Sequence, residues 1–148
     1  TNDAPSTITR LQNMGTPDYL ISAACQLVLA QRLARRSCKD CRVPDDDVTP
    51  KVLQDLGFSP EQASRVKALK GKGCAKCKDS GYKGRQGIYE ILVVSKPVKE
   101  AILRKATTPE LRQIAIKEGF QTMQDMGRRL IANGELNFRE YERVLASE

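Results

Sequence analysis

Histidine is absent from the 148 residues, and with it goes the side chain on which most hydrolytic and acid–base machinery rests. No Ser/His/Asp or Cys/His arrangement can be assembled, no paired-carboxylate constellation stands out, and a metal site of mixed Cys and His ligands is excluded. Aromatic residues are scarce at 5%, and Tyr82 and Tyr89 do not fall in a base-stacking pattern. The longest apolar stretch, from Leu20 to Leu33, is broken by Gln26, Gln31 and Arg32, so no bilayer span is predicted. No charged-then-apolar leader opens the chain. No G-x-x-x-x-G-K-[ST] occurs either, so Gly71, Gly73, Gly81, Gly84 and Gly87 read as tight turning rather than a phosphate cradle.

What is present is cysteine in pairs: Cys38-Lys39-Asp40-Cys41 and Cys74-Ala75-Lys76-Cys77. Two residues between cysteines let both sulfurs of a knuckle face one point, and two knuckles supply the four soft ligands that tetrahedral zinc prefers. The favoured reading is one structural zinc site at Cys38, Cys41, Cys74 and Cys77, which as a closed shell offers folding energy and no Lewis-acid chemistry. A redox dithiol, disulfides and four unremarkable cysteines are the rivals. The intervening 32 residues exceed the usual ribbon spacing and predict a small subdomain rather than a loop. The fifth thiol, Cys25, lies in an apolar run and reads as a small core residue. Paired cysteines without secretory features predict a reducing, cytoplasmic setting.

The net charge of +7 suits nucleic acid, an acidic membrane face or an acidic partner. Its distribution weakens the nucleic-acid reading. Lys39, Lys67, Lys70, Lys72, Lys76 and Lys78 crowd the knuckles, where a zinc with four thiolates would itself carry about −2.

Capping residues followed by proline punctuate the rest and predict a mainly α-helical chain. Asp3 and Pro5 open a helix with Ile8, Leu11 and Met14 on one face, stopped by Gly15, and Thr16-Pro17 starts a second. Thr49-Pro50, Ser59-Pro60 and Thr108-Pro109 repeat the signal. The helices from Pro50 to Leu56 and from Pro60 to Leu69 are too short to stand without a metal. The run from Leu27 to Arg35 fits helix or strand. The β-prone run from Gln86 to Val94 tips it to strand, and the two would pair antiparallel with the knuckles as an insertion at the hairpin tip. Asp45-Asp46-Asp47 reads as a solvated loop, since three successive carboxylates point different ways. After the second strand come helices with stripes at Val98, Ala101 and Ile102, then Leu111, Ile114 and Ala115. Thr122 and Asn137 cap two more, each with an acid three residues on.

Several stretches together resemble one family. Thr1-Asn2-Asp3-Ala4-Pro5-Ser6-Thr7-Ile8-Thr9-Arg10-Leu11, Ala30-Gln31-Arg32-Leu33 ahead of Cys38, and Gly81-Tyr82-Lys83-Gly84-Arg85-Gln86-Gly87-Ile88-Tyr89-Glu90 look like the C-terminal part of the hexameric secretion motor ATPases. These are the GspE/PilB family of type II secretion and type IV pilus assembly. The resemblance implies an α/β, RecA-like motor domain of which this chain is the C-terminal portion, with residues 1–37 completing the ATPase core, 38–77 forming the tetracysteine zinc subdomain, and 78–148 supplying the return strand and C-terminal helices. Walker A, Asp-box, Walker B and His-box segments precede the matching region in that family, so no catalytic residue transfers to any position here and the piece alone is expected to be inactive. The zinc role of the four cysteines does transfer. Retraction motors lack the insertion, which favours an assembly motor, and the wording of residues 1–11 and 31–36 is nearer PilB than GspE. For the intact protein the resemblance implies ATP and Mg2+ beside structural Zn2+, and a homohexamer working with inner-membrane platform proteins. It also implies a cytoplasmic location peripheral to the inner membrane, with no nucleic acid and no membrane insertion. The first residues read as the middle of something longer. A free-standing basic zinc module binding nucleic acid is the alternative.

Overall fold

The computed structural model describes residues 3–145; Thr1 and Asn2, which open the family-like stretch, lie outside them. In chain order the elements are α1 (Ala4–Asn13), α2 (Asp18–Ala24), β1 (Leu27–Ser37), β2 (Arg42–Pro44), α3 (Pro50–Asp55) and α4 (Pro60–Arg65). Then follow β3 (Leu69–Gly71), a 3-10 helix (Ala75–Cys77), β4 (Tyr82–Val93), α5 (Lys96–Leu103), α6 (Thr108–Lys117), α7 (Met123–Ala132) and α8 (Phe138–Leu145). None of the described helices is long and apolar enough to cross a membrane.

β1 and β4 form a two-stranded sheet. The Val94 N–H donates to the Gln26 carbonyl at 3.0 Å at one end, and the Cys38 N–H to the Gly81 carbonyl at 2.9 Å at the other. Only antiparallel strands bring an early residue of one against a late residue of the other at both ends, as the sequence predicts. The chain between them carries both knuckles.

The described residues divide into two compact units, one holding 3–31 and 89–123, the other 32–88 and 124–145. In the first, Ile8, Ile21, Leu92, Val98, Ile102 and Leu111 form the centre of an apolar core. The start of α1 is held by several independent contacts. Asp3 caps the helix by accepting from the Ser6 N–H at 2.8 Å and pairs with Arg112 at 2.8 Å. Glu90, 4% exposed, accepts the Ala4 N–H on one oxygen at 2.6 Å and the Met123 N–H on the other at 2.9 Å. One buried carboxylate thus satisfies backbone donors at the first residues of α1 and α7, where the helix dipole favours a negative charge.

In the second unit the buried side chains include Leu53, Phe58, Ile88, Ile131, Leu136 and Leu145. Asn137 caps α8, its Oδ1 accepting from the Glu140 N–H at 2.7 Å. The Glu140 carboxylate does not turn back on the cap. Its side chain is wholly buried, and it takes the Arg35 N–H at 2.6 Å, the Arg35 Nη2 at 3.1 Å and the Arg143 Nη2 at 2.8 Å. Arg35 also lies over the Tyr82 ring, 4.1 Å from its centroid, and the Tyr82 hydroxyl accepts from Asn137 Nδ2 at 2.9 Å. Burial pushes the Glu140 carboxyl up, but the hydrogen bonds from Arg143 and Arg35 outweigh it and hold it at about 2.

Some expectations shift in detail. Met14 is not on the buried face with Ile8 but is the exposed C-cap of α1, because the turn into Gly15 carries it outward. The α6 cap is Thr107, one residue earlier than Thr108, which leaves Pro109 in the first turn where its missing N–H costs nothing. Helix α4 stops at Arg65 instead of reaching Leu69. Val66 turns to extended backbone, and residues 69–71 are drawn into a short antiparallel pair with β2, in register Arg42 with Gly71 and Pro44 with Leu69. β4 begins at Tyr82, ahead of the apolar run that signals it.

Candidate metal centre

The cysteines meet because the chain leaves and re-enters at one place. β1 ends at Ser37, and the Cys38 N–H bonds to Gly81, just ahead of β4. The first knuckle closes with the Cys41 N–H on the Cys38 carbonyl at 3.4 Å. The β2–β3 pair then carries the chain back, so that the Lys72 N–H reaches the Cys41 carbonyl at 3.0 Å. The second knuckle is the 3-10 turn, with the Cys77 N–H on the Cys74 carbonyl at 3.3 Å and the Asp79 N–H on the same oxygen at 2.8 Å. Lys78 and Asp79 both adopt left-handed backbone, φ 53° and 61°. That is uncommon outside glycine, and here it reverses the chain directly behind Cys77.

The four sulfurs lie within 4.8 Å of one another. Cys38 Sγ to Cys74 Sγ is 3.8 Å, Cys41 to Cys77 3.8 Å, and Cys74 to Cys77 3.7 Å. Disulfide sulfurs would stand at about 2.05 Å, and all five cysteines are free. Backbone donors surround the cluster. The Gly73 N–H points to Cys41 Sγ at 3.3 Å, the Cys74 N–H to Cys77 Sγ at 3.2 Å, and the Gly81 N–H to Cys77 Sγ at 3.3 Å. Such donors stabilise negative sulfur and orient it.

The thiols are unequal. Burial pushes Cys77 up, yet the N–H groups of Cys74 and Gly81 outweigh it and bring the thiol down to about 6. At Cys41 burial dominates, opposed by one N–H from Gly73, and the thiol is pushed up to about 11. Cys77 is therefore the first of the pair to present a thiolate, the form a metal needs. Cys38, Cys41 and Cys77 are buried and Cys74 half-buried, which leaves the cluster closed. Lys76 on one knuckle pairs with Asp40 on the other at 3.5 Å, an exposed contact of small energetic weight. A closed set of four thiols fits a soft, tetrahedral metal ion held for structure, with no place for a substrate.

Cys25 is not part of the cluster. It sits half-buried against the core of the first unit, its thiol 3.7 Å from the Leu27 carbonyl oxygen. In the acidic run, Asp45 pairs with Lys70 at 3.8 Å and accepts the Asp47 N–H at 3.2 Å. Sequence reasoning gave Glu90 no role of its own and read Glu140 only as the acid that follows the Asn137 cap. Each stands in a stretch otherwise explained, by a β-run and by a cap, and only their burial marks them.

Comparison with known proteins places this arrangement. The family described as Type II/IV secretion system protein matches residues 1–143, and the chain belongs to that family. It is similar to the type IV pilus assembly ATPase PilB of Myxococcus xanthus, 39% identical over 140 residues that cover 95% of this chain and 25% of that protein. PilB of Thermus thermophilus is 42% identical over 130 residues, covering 86% of this chain and 14% of that protein. The type II secretion system protein HxcR of Pseudomonas aeruginosa is 33% identical over 144 residues, covering 97% and 26%. The chain thus spans about a quarter or less of the length of these relatives.

Proposed function

We propose that Cys38, Cys41, Cys74 and Cys77 hold one structural Zn2+, and that the chain is the zinc-carrying C-terminal portion of a RecA-like motor ATPase for type IV pilus assembly. The observation that carries the zinc is the sulfur spacing of 3.7–3.8 Å, since Zn–S bonds of about 2.3 Å in a tetrahedron put its edges at about 3.8 Å. What supports the pilus branch over secretion is the breadth of the match: identity of 39–42% to the two PilB proteins extends over 140 and 130 residues, whereas 41% identity to a type II secretion system protein E extends over 103.

In this reading residues 38–77 act as the metal-ordered subdomain, while ATP and Mg2+ are bound and ATP is hydrolysed by sequence outside these 148 residues. The intact protein works as a homohexamer on the cytoplasmic side of the inner membrane, against platform proteins, without binding nucleic acid or inserting in the bilayer. Two measurements test it. Metal analysis of purified protein should give one zinc per chain, and the 148-residue chain should hydrolyse no ATP. Hydrolysis by this piece, or a full-length sequence without G-x-x-x-x-G-K-[ST], would remove the motor reading.

A further inference from the structure

The four sulfurs of the cluster are not equally shielded. Cys38 is 0%, Cys41 8% and Cys77 6% exposed, whereas Cys74 is half-buried. An ion held among them would be enclosed, yet one of its ligands faces solvent. Backbone donors add a second difference. Cys77 Sγ takes the N–H groups of Cys74 and Gly81, and Cys41 Sγ takes that of Gly73, but among the described residues no N–H reaches Cys74 Sγ. A donated N–H occupies a sulfur lone pair and draws density from it, so the sulfur without one is the better nucleophile. Cys38 Sγ also lacks such a donor, but it is wholly buried. Cys74 alone combines access with an uncommitted lone pair. Its nearest sulfurs are Cys77 at 3.7 Å and Cys38 at 3.8 Å. Cys77 ends the 3-10 turn that Cys74 caps, so those two can close on each other by tightening one turn. Cys38 is held at the end of β1 by its N–H bond to the Gly81 carbonyl.

We propose that Cys74 is a modification site: it is the sulfur of the metal-loaded cluster that a hydroperoxide oxidises, and a Cys74–Cys77 disulfide follows, with loss of the metal. The inference rests on the reading of the cluster as a zinc site. In the first step the Cys74 thiolate attacks the hydroxyl oxygen of the hydroperoxide. An S–O bond forms, the O–O bond breaks, and the leaving alkoxide takes a proton from solvent. Cys74 is now a sulfenic acid, oxidised by two electrons, and the hydroperoxide is reduced to an alcohol, or to water where it is hydrogen peroxide. In the second step the Cys77 thiolate attacks that sulfur, the S–S bond forms, and hydroxide leaves and is protonated to water. Cys38 and Cys41 remain as thiolates, and two ligands do not fill a tetrahedral shell. Residues 38–77 then lose the tie that orders them. Oxidation of one exposed sulfur is thereby converted into unfolding of the insertion.

The test uses the zinc-loaded 148-residue chain in a Cys25→Ser background, which leaves the knuckle cysteines as the remaining thiols. A pulse of iodoacetamide short enough to mark a small fraction of the chains should mark Cys74 at least ~10-fold more than Cys38, Cys41 or Cys77, because reaching those three takes local opening. Equal marking of the four would overturn the proposal. In a separate sample, hydrogen peroxide should release one zinc for each disulfide formed, read with a metal-binding dye, and peptide mapping should place that disulfide between Cys74 and Cys77. A Cys38–Cys74 or Cys41–Cys77 bridge formed in its place would overturn the assignment. So would a chain that keeps its zinc at peroxide concentrations that oxidise Cys25 in the wild type, an outcome that sinks this inference and leaves the zinc reading standing. A purified chain that carries no zinc and takes none up would remove the zinc reading and this inference with it.

Discussion

Gly71 and Gly81 cross so closely that a β-carbon on Gly71 would lie 2.0 Å from the Gly81 carbonyl oxygen, and one on Gly81 would lie 2.4 Å from the Gly71 carbonyl oxygen. Gly71 ends the short strand that returns the chain to the second knuckle. Gly81 donates its N–H to Cys77 Sγ and lends its carbonyl to Cys38. The crossing therefore sets the distance between the two knuckles.

Gly71→Ala should consequently weaken metal binding and fold stability together. Backbone must move to admit the methyl group, at a cost of about 1–3 kcal/mol. At Gly81 a φ of +80° adds strain of roughly 1 kcal/mol for any side chain. Competition with a zinc-binding dye should show the affinity loss, and urea melts the stability loss. Wild-type zinc affinity in Gly71→Ala would mean the crossing can relax freely.

Metal removal should act unevenly. Helices α3 and α4 are six residues each, well below the ~12–15 at which an isolated helix becomes marginal, and Leu53, Phe58 and Ala63 are a thin apolar set. In Cys74→Ser, amide protection between Val52 and Val66 should fall to that of an unfolded chain. Protection in α5 and α6 should persist, since Val98, Ile102 and Leu111 pack in a core of their own. Retained protection at Val52–Val66 would show that the insertion folds without metal.

Much of this was legible in the sequence because its signals are local. The C-x-x-C pairs, the cap-then-proline starts and the β-run around Ile88 each need only a few neighbours to fix their conformation. The β2–β3 pair was not legible: Arg42-Val43-Pro44 and Leu69-Lys70-Gly71 are too short to show a period, and they pair because the knuckles bring them together. Glu140 misled for a related reason. An acid three residues after a cap reads as a capping box, and nothing local announces that Arg35, 105 positions away in the chain, competes for it.

Glu140 gives a pH signature. Its carboxyl stands at about 2 when folded, against an unfolded value of about 4.3. A depressed folded value means the charged form is favoured in the native state. Its contribution is therefore fully present above pH ~4.3 and is lost as the pH falls toward ~2. Glu140→Gln should cost about 1–3 kcal/mol at pH 7, toward the lower end because Arg35 and Arg143 remain half-exposed and can turn to water. The gap between wild-type and variant urea midpoints should narrow on acidification through that window. A gap that stays constant from pH 7 to pH 2.5 would mean the ion pairs contribute nothing.

Glu90 makes the sharpest stability test, because its role depends on having two acceptors. Each oxygen takes one backbone N–H, from Ala4 and from Met123, and both bonds are buried. Glu90→Gln keeps the shape but replaces one acceptor by an NH2 group, which meets one of those N–H donors head-on. Leaving a buried donor unsatisfied costs about 1–3 kcal/mol, and Glu90→Ala strands both, for a loss of about 2–6 kcal/mol. The effect should appear first as faster hydrogen exchange at Ala4 and Met123, then as lower protection in α1. The knuckle amides of Cys74 and Cys77 should be unmoved, because their bonds close on the cysteine sulfurs and carbonyls. Equal losses for Glu90→Gln and Glu90→Ala would point to the charge as the agent, and no loss in either would show that water can replace the carboxylate at both helix starts.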